Sequence, residues 1–191
     1  MTAPVVLRNL REELHPEDRD RILGWRNLPD VARYMYTDRA ITAEEHERWF
    51  ARILEDDTVT YWVVELDGEP VGLANLTGVD RDNRRCSWAF YLASPAVRGR
   101  GVGTFVEYFV LQYVFETLGL EKLCCEVLSF NDGVVAMHEG YGFQREGLLR
   151  RHIYKDGISH DVVVLGMLKE DWEASKPVLA KRLASKGLTA P

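Results

Sequence analysis

The spacing of apolar positions changes several times along the chain, and each change marks an element. Val5–Leu7 is a short apolar run followed by polar residues, which predicts a first strand. From His15 the period lengthens. Ile22, Leu23 and Trp25 recur at helical spacing, Pro16 suits a first helical turn, and the helix stops near Asn27-Leu28-Pro29. Thr42 then starts a second helix, with Glu45 three residues on as a capping box and Trp49, Phe50 and Ile53 as its apolar face.

Beyond these helices the period drops to two. Tyr61–Leu66 and Val71–Leu76 read as strands joined at Asp67-Gly68, a dipeptide suited to a tight hairpin turn. Arg84–Ala93 is a third run, with Trp88, Phe90 and Leu92 on one face. After Pro95 and a glycine-rich turn comes a long helix. Its apolar positions Val102, Phe105, Val106, Phe109, Val110, Tyr113, Val114 and Leu118 keep helical spacing, and Gly119 ends it. Lys122–Leu128 is the next strand and Asn131–Gly140 a short helix. Phe143–Tyr154 and Ser159–Leu168 make a last hairpin around Lys155-Asp156-Gly157. Residues 1–170 read as a single domain, and 171–191 as a polar helical tail, loosely attached. Hairpins at both ends and one strand–helix–strand crossover predict an α+β (mixed α/β) fold, with helices on both faces of a mixed sheet.

Composition narrows the function. A chain of 191 residues suits one domain with a full core. No apolar run approaches the roughly 20 residues that cross a bilayer. Met1-Thr2-Ala3-Pro4 lacks a basic start followed by an apolar stretch, so no signal peptide is expected and a cytoplasmic protein is. The net charge of −6 argues against nucleic acid as a partner, since that needs a basic stripe. Cys86, Cys124 and Cys125 have neither CxxC nor cysteine–histidine spacing. They are expected to be small core residues, with no metal.

The richest chemistry lies in Arg98-Gly99-Arg100-Gly101-Val102-Gly103-Thr104, between a strand and a long helix. Glycines allow a tight turn that brings backbone N–H groups against a ligand. A helix start adds unpaired N–H groups and a positive dipole end, which together suit a diphosphate. Arg98 and Arg100 can add charge-assisted bonds. A nucleotide-triphosphate loop would end in Gly-Lys-Ser/Thr, and here the lysine is missing. A dinucleotide site would follow the first strand of a parallel unit, whereas this turn is mid-chain after antiparallel hairpins.

The spacing Arg98-x-x-Gly101-x-Gly103 resembles the signature of the GNAT acetyltransferases. So does the downstream sequence, in which Asn131 is followed by Ala136-Met137-His138-Glu139-Gly140-Tyr141-Gly142-Phe143. The resemblance implies an acetyl-CoA site in a V-shaped gap between the strands holding Trp88–Ala93 and Leu123–Leu128. Phe90, Tyr91, Leu92 and Asn131 would hold the pantetheine arm, and Arg98–Thr104 the diphosphate. The reaction implied is direct attack of an amine on the thioester. It needs a base, for which Glu126 is the candidate, and can use an acid for the thiolate. His138 stands where many relatives have a tyrosine, and Tyr141 follows it. Either can serve, or no acid is needed.

The first fifty residues usually set the acceptor in this superfamily. Trp25-Arg26-Asn27, Met35-Tyr36-Thr37 and Glu45-His46-Glu47-Arg48-Trp49-Phe50 resemble the amino-sugar-nucleotide N-acetyltransferases of pseudaminic acid biosynthesis. Those enzymes acetylate the 4-amino group of a UDP-linked altrosamine, a sugar that decorates bacterial flagellin. This resemblance implies a UDP-sugar acceptor held by Arg26, Tyr36, His46, Trp49, Thr77 and Tyr91, with Arg33 as a further phosphate candidate. It leaves open another amine (a ribosomal-protein N-terminus, a polyamine or a drug) and a non-catalytic acyl-CoA-sensing domain. A homodimer is one compatible assembly.

Overall fold

The computed structural model describes residues 5–191. The Met1–Pro4 segment, where no signal peptide was expected, lies outside the described residues. Seven strands form one mixed sheet in the order β1-β2-β3-β4-β5-β7-β6. They are β1 (Val5–Asn9), β2 (Thr60–Leu66), β3 (Glu69–Asp80), β4 (Arg85–Leu92), β5 (Lys122–Leu128), β6 (Gln144–Lys155) and β7 (Ile158–Leu168). All neighbours are antiparallel except β4 and β5. The helices are α1 (Asp18–Arg26), α2 (Pro29–Ala32), α3 (Ala43–Glu55), α4 (Val102–Gln112), α5 (Asp132–Glu139) and α6 (Lys169–Ser185). No helix among the described residues is long and apolar enough to cross a membrane.

Local chemistry sets these boundaries. Asp67-Gly68 and Asp156-Gly157 have positive φ at both residues, and only such a turn matches the twist of a two-residue hairpin. Thr42 and Glu45 cap α3 reciprocally. The helix expected from Pro16 begins two residues later, at Asp18. A short α2 follows it, started by Pro29 in its first turn. The long helix after the glycine turn ends in a π turn over Tyr113–Thr117, where Leu118 N–H reaches back five residues to Tyr113.

Alternation along the strands supplies two cores. On β2, Trp62, Val64 and Leu66 pack with α4, α5 and α6, while Val63 packs with Ile22 of α1 and Phe50 of α3. The C-terminal helix corrects the expectation of loose attachment. Trp172, Leu179 and Leu183, spaced as one helical stripe, are sealed into the larger core. Trp172 also donates to Glu116 at 2.9 Å, a bond Lys176 reinforces. Leu188, beyond the helix, is buried as well.

One buried ion pair ties β1 to α1. Arg8 donates two bonds to the fully buried Asp18 carboxylate, at 2.9 and 3.0 Å, and a third to Glu65 at 2.7 Å. Burial pushes the Asp18 carboxyl up. The bonds from Arg8 and the His15 N–H outweigh it and hold the group below its usual range.

Candidate active site

The site grows out of the one parallel pair. β4 and β5 pair only at Arg85–Lys122, Cys86–Leu123 and Ser87–Cys124, and then separate. Parallel strands need a crossover, here α4, and no hairpin holds their far ends together. Beyond Ser87 the edge of β4 therefore faces a cavity of about 370 Å³ rather than a partner strand. Trp88, Phe90, Tyr91, Leu92, Glu126, Asn131 and His138 line it.

At the start of α4, Gly99 and Gly101 have φ of 74° and 75°, which only glycine adopts without strain. The N–H groups of Gly99, Gly101, Val102, Gly103 and Thr104 have no backbone partner among the described residues. Five free N–H groups around a helix N-terminus make an anion cradle. The two arginines of this turn differ. Among the described residues Arg98 is exposed and makes no ion pair, whereas Arg100 forms an ion pair with Asp67 of the β2–β3 hairpin at 2.8 Å. Arg100 would exchange this exposed ion pair for a phosphate, whereas Arg98 has none to give up. An acid in the tight hairpin turn lies within its reach.

Glu126 alternates with the buried Cys125 and extends outward, where it accepts a bond from the Tyr36 hydroxyl at 2.6 Å. Tyr36 was expected to help hold the UDP-sugar acceptor. Instead its loop crosses β5 and sets it on the candidate base. Burial, and then its bond to Glu126, push the Tyr36 phenol well up, so it remains a donor. The loop itself is held by the buried Lys155, whose ammonium donates to the Ala32 and Met35 carbonyls at 2.6 and 2.8 Å. No local pattern marks Lys155, because its partners lie about 120 residues away in the chain.

His138 is buried and reaches the cavity. Tyr141 does not. Its hydroxyl is paired with Thr104 at 2.7 Å and its ring lies under Arg182, outside the cavity lining. The chain explains the split: α5 ends at Glu139, so Tyr141 lies past Gly140, where the helical rule that would place residues three apart on one face no longer holds. Tyr141 is therefore a support for the α4 start rather than an acid. Asn131 sits at the start of α5 with its side chain making no cap bond, free to meet a ligand.

A second chamber of about 380 Å³ lies across β4, between the sheet and helices α1 and α3. Arg26, His46, Trp49 and Tyr91 line it as expected, with Met35, Asn75 and Tyr61 in addition. Met35, Ala89, Phe90 and Tyr91 belong to both cavities, so the two adjoin across β4. Thr77 is not in its lining. It faces the right side of β3 but pairs with Ser87, where the strands are still closed, and Asn75 takes its place. Arg33 is exposed beside Tyr34 and lines neither cavity.

The electrostatics of this chamber are one-sided. Arg26 is partly buried and, among the described residues, makes no ion pair, not even with Asp30. Burial lowers its affinity for the proton somewhat, yet a guanidinium stays charged. The Tyr91 hydroxyl is buried without a hydrogen-bond partner among the described residues. Glu45 is bound by Arg39 at 2.5 and 2.7 Å. His46 donates Nε2–H to the Arg19 carbonyl at 2.8 Å, and burial pushes its imidazole down, keeping it neutral. The charge left without a partner is positive.

Residues 5–144 match the acetyltransferase (GNAT) domain family. The SPbeta prophage-derived uncharacterized N-acetyltransferase YokL of Bacillus subtilis is 32% identical over 133 residues, 69% of this chain and 74% of that protein. The putative ribosomal N-acetyltransferase YdaF of the same organism is 31% identical over 58% of this chain and 60% of its own length. Acetyltransferase PseH of Campylobacter jejuni is 27% identical over 66% of this chain and 77% of its own. In fold, the spermidine N-acetyltransferase of Vibrio cholerae, solved with CoA and spermine, superposes with a TM-score of 0.80 at 22% identity, covering 89% of this chain and 98% of that one.

Proposed function

This chain belongs to the GNAT acetyltransferase family, an acetyl-CoA-dependent N-acetyltransferase, and from that premise we propose that its acceptor is the 4-amino group of a UDP-linked amino-deoxy sugar. The observation that carries the acceptor is the chamber holding an unpaired Arg26 beside the unpartnered Tyr91 hydroxyl. A buried donor without a partner is costly, about 1–3 kcal/mol, and an acceptor-rich anion such as a sugar diphosphate relieves it. A polyamine would meet the same arginine as repulsion. The stretches Trp25–Asn27, Met35–Thr37 and His46–Phe50 support the same reading, and Trp49 offers an aromatic face for a ring.

Acetyl-CoA supplies the thioester, and the protein's residues do the rest. The free N–H groups of Gly99 and Gly101–Thr104, with Arg98, suit the diphosphate of the coenzyme. The unpaired edge of β4 at Phe90–Leu92 can bind the pantetheine amides as an added strand would, with Asn131 opposite. Glu126, steadied by Tyr36, accepts the proton of the incoming ammonium directly or through water. Glu126→Gln keeps the Tyr36 contact and loses the base. It is expected to lower kcat about 10²-fold at neutral pH, with the loss shrinking above the pKa of the substrate amine. A kcat–pH profile within twofold of the parent enzyme would remove Glu126 from the mechanism.

Thiol release from acetyl-CoA against a panel of UDP-amino sugars, spermidine and peptides tests the acceptor. Turnover is expected on a UDP-amino sugar. Turnover on spermidine or peptides alone would refute the sugar reading.

A further inference from the structure

Glu107 plays no part in the binding sites above, yet it is fully buried within the apolar face of α4. Val110, Leu111 and Val114 continue the same helical stripe, and an apolar residue would fit it without desolvating a charge. Its Oε1 lies 2.7 Å from Nδ1 of His138 on α5, and its Oε2 has no partner. Burial pushes the Glu107 carboxyl up, against the opposing pull of the His138 bond. The imidazole is wedged between Trp88 of β4 and Phe143, with ring centroids 5.4 and 5.3 Å away. Nε2 makes no protein hydrogen bond among the described residues, and it is not among the sealed unpartnered atoms. One ring nitrogen thus faces Glu107, and the other keeps access to the cavity that His138 lines.

We propose that Glu107 is a positioning residue that fixes His138 through its Nδ1 hydrogen bond, so that Nε2–H faces the cavity and delivers the proton to the departing coenzyme A sulfur. The inference rests on the acetyl-transfer reading above. As the amine nitrogen bonds to the acetyl carbon, the C–S bond breaks and its electron pair stays on sulfur. Nε2–H protonates that sulfur. The neutral ring then regains a proton from those released by the attacking amine, carried by water past Glu126. A carboxylate on Nδ1 holds an imidazole in one tautomer in the Ser-His-Asp enzymes, and the same logic applies to acid catalysis. The titratable groups around the pair are Cys125 of β5, beside Glu107, and Glu126, across the cavity.

The test is kcat against pH, by thiol release from acetyl-CoA with the most active amine of the panel. It compares the full-length protein with Glu107→Gln, His138→Gln and the double variant. Glu107→Gln is expected to lower kcat about tenfold or more. It should leave the KM for acetyl-CoA within about twofold. In the His138→Gln background it should change nothing further. An unchanged profile, or an equal loss in both backgrounds, would overturn the proposal. Nitrogen NMR of the unsubstituted protein gives a check that needs no variant: Nδ1 of His138 should show the shift of a strongly hydrogen-bonded nitrogen and Nε2 that of a nitrogen without a protein partner. An Nδ1 without that hydrogen bond would overturn the pairing. Absence of thiol release by the unsubstituted enzyme with every amine would count against acetyl transfer instead, and the NMR result would still decide the pairing.

Discussion

Gly101→Val is expected to abolish measurable coenzyme A binding while leaving the protein folded. Gly101 sits at φ 75°, a region that excludes β-branched residues. A Cβ there would also lie 3.0 Å from Lys186 Cβ and 3.1 Å from Leu188, in the segment packed over the turn. The turn must therefore shift, and the N–H groups of Gly101–Thr104 leave the positions that converge on an anion. Losing two hydrogen bonds to a charged group, at about 1.5–3 kcal/mol each, weakens binding roughly 10²–10⁴-fold. Calorimetric titration with coenzyme A checks this. A Kd within threefold of the parent value would show that the diphosphate does not use this turn.

The second large effect concerns stability. Asp18→Asn removes the charge opposite Arg8, which is only 6% exposed. Breaking one side of a buried pair costs about 3–5 kcal/mol when the other side is left uncompensated, and because Glu65 still faces Arg8 the lower end, about 3 kcal/mol, is expected here. For a domain of this size that is a Tm drop of roughly 10 °C. Because the folded Asp18 carboxyl titrates below its unfolded value, its contribution is complete above about pH 4 and is lost as pH falls through the folded value. The gap between variant and parent should therefore be widest at neutral pH and close in strong acid. A Tm change under about 2 °C at pH 7 would mean that Glu65 and the Glu13 carbonyl suffice for Arg8.

Much of this architecture is legible where a residue's local chemistry decides its conformation. The hairpins at Asp67-Gly68 and Asp156-Gly157 and the Thr42–Glu45 cap follow from neighbouring residues alone. So does the glycine turn, whose free N–H groups result from its own φ angles and from a helix beginning there. What depends on distant partners is not legible. Arg100 belongs to Asp67, Lys155 to the carbonyls of the Tyr36 loop, and Tyr141 to Thr104; none of these pairs leaves a local signal. Thr77 fails by two residues because period-two alternation gives a face and not a position along the strand. Two signals were present but outweighed. Glu107 interrupts an otherwise apolar helical stripe, and Trp172, Leu179 and Leu183 share a stripe in a segment whose overall composition is polar.

The central claim is that an acetyl group passes to an amine whose anionic part lies in the Arg26 chamber. The most direct measurement is kcat/KM for one 4-amino sugar with and without its UDP group, in the parent enzyme and in Arg26→Met. In the parent, the UDP group should raise kcat/KM by about 10²-fold or more, and Arg26→Met should erase about tenfold or more of that gain, as loss of a charged hydrogen bond implies. It should leave the free sugar unaffected. Equal kcat/KM for the two sugars in the parent, or an Arg26→Met loss of the same size on both, would contradict the account.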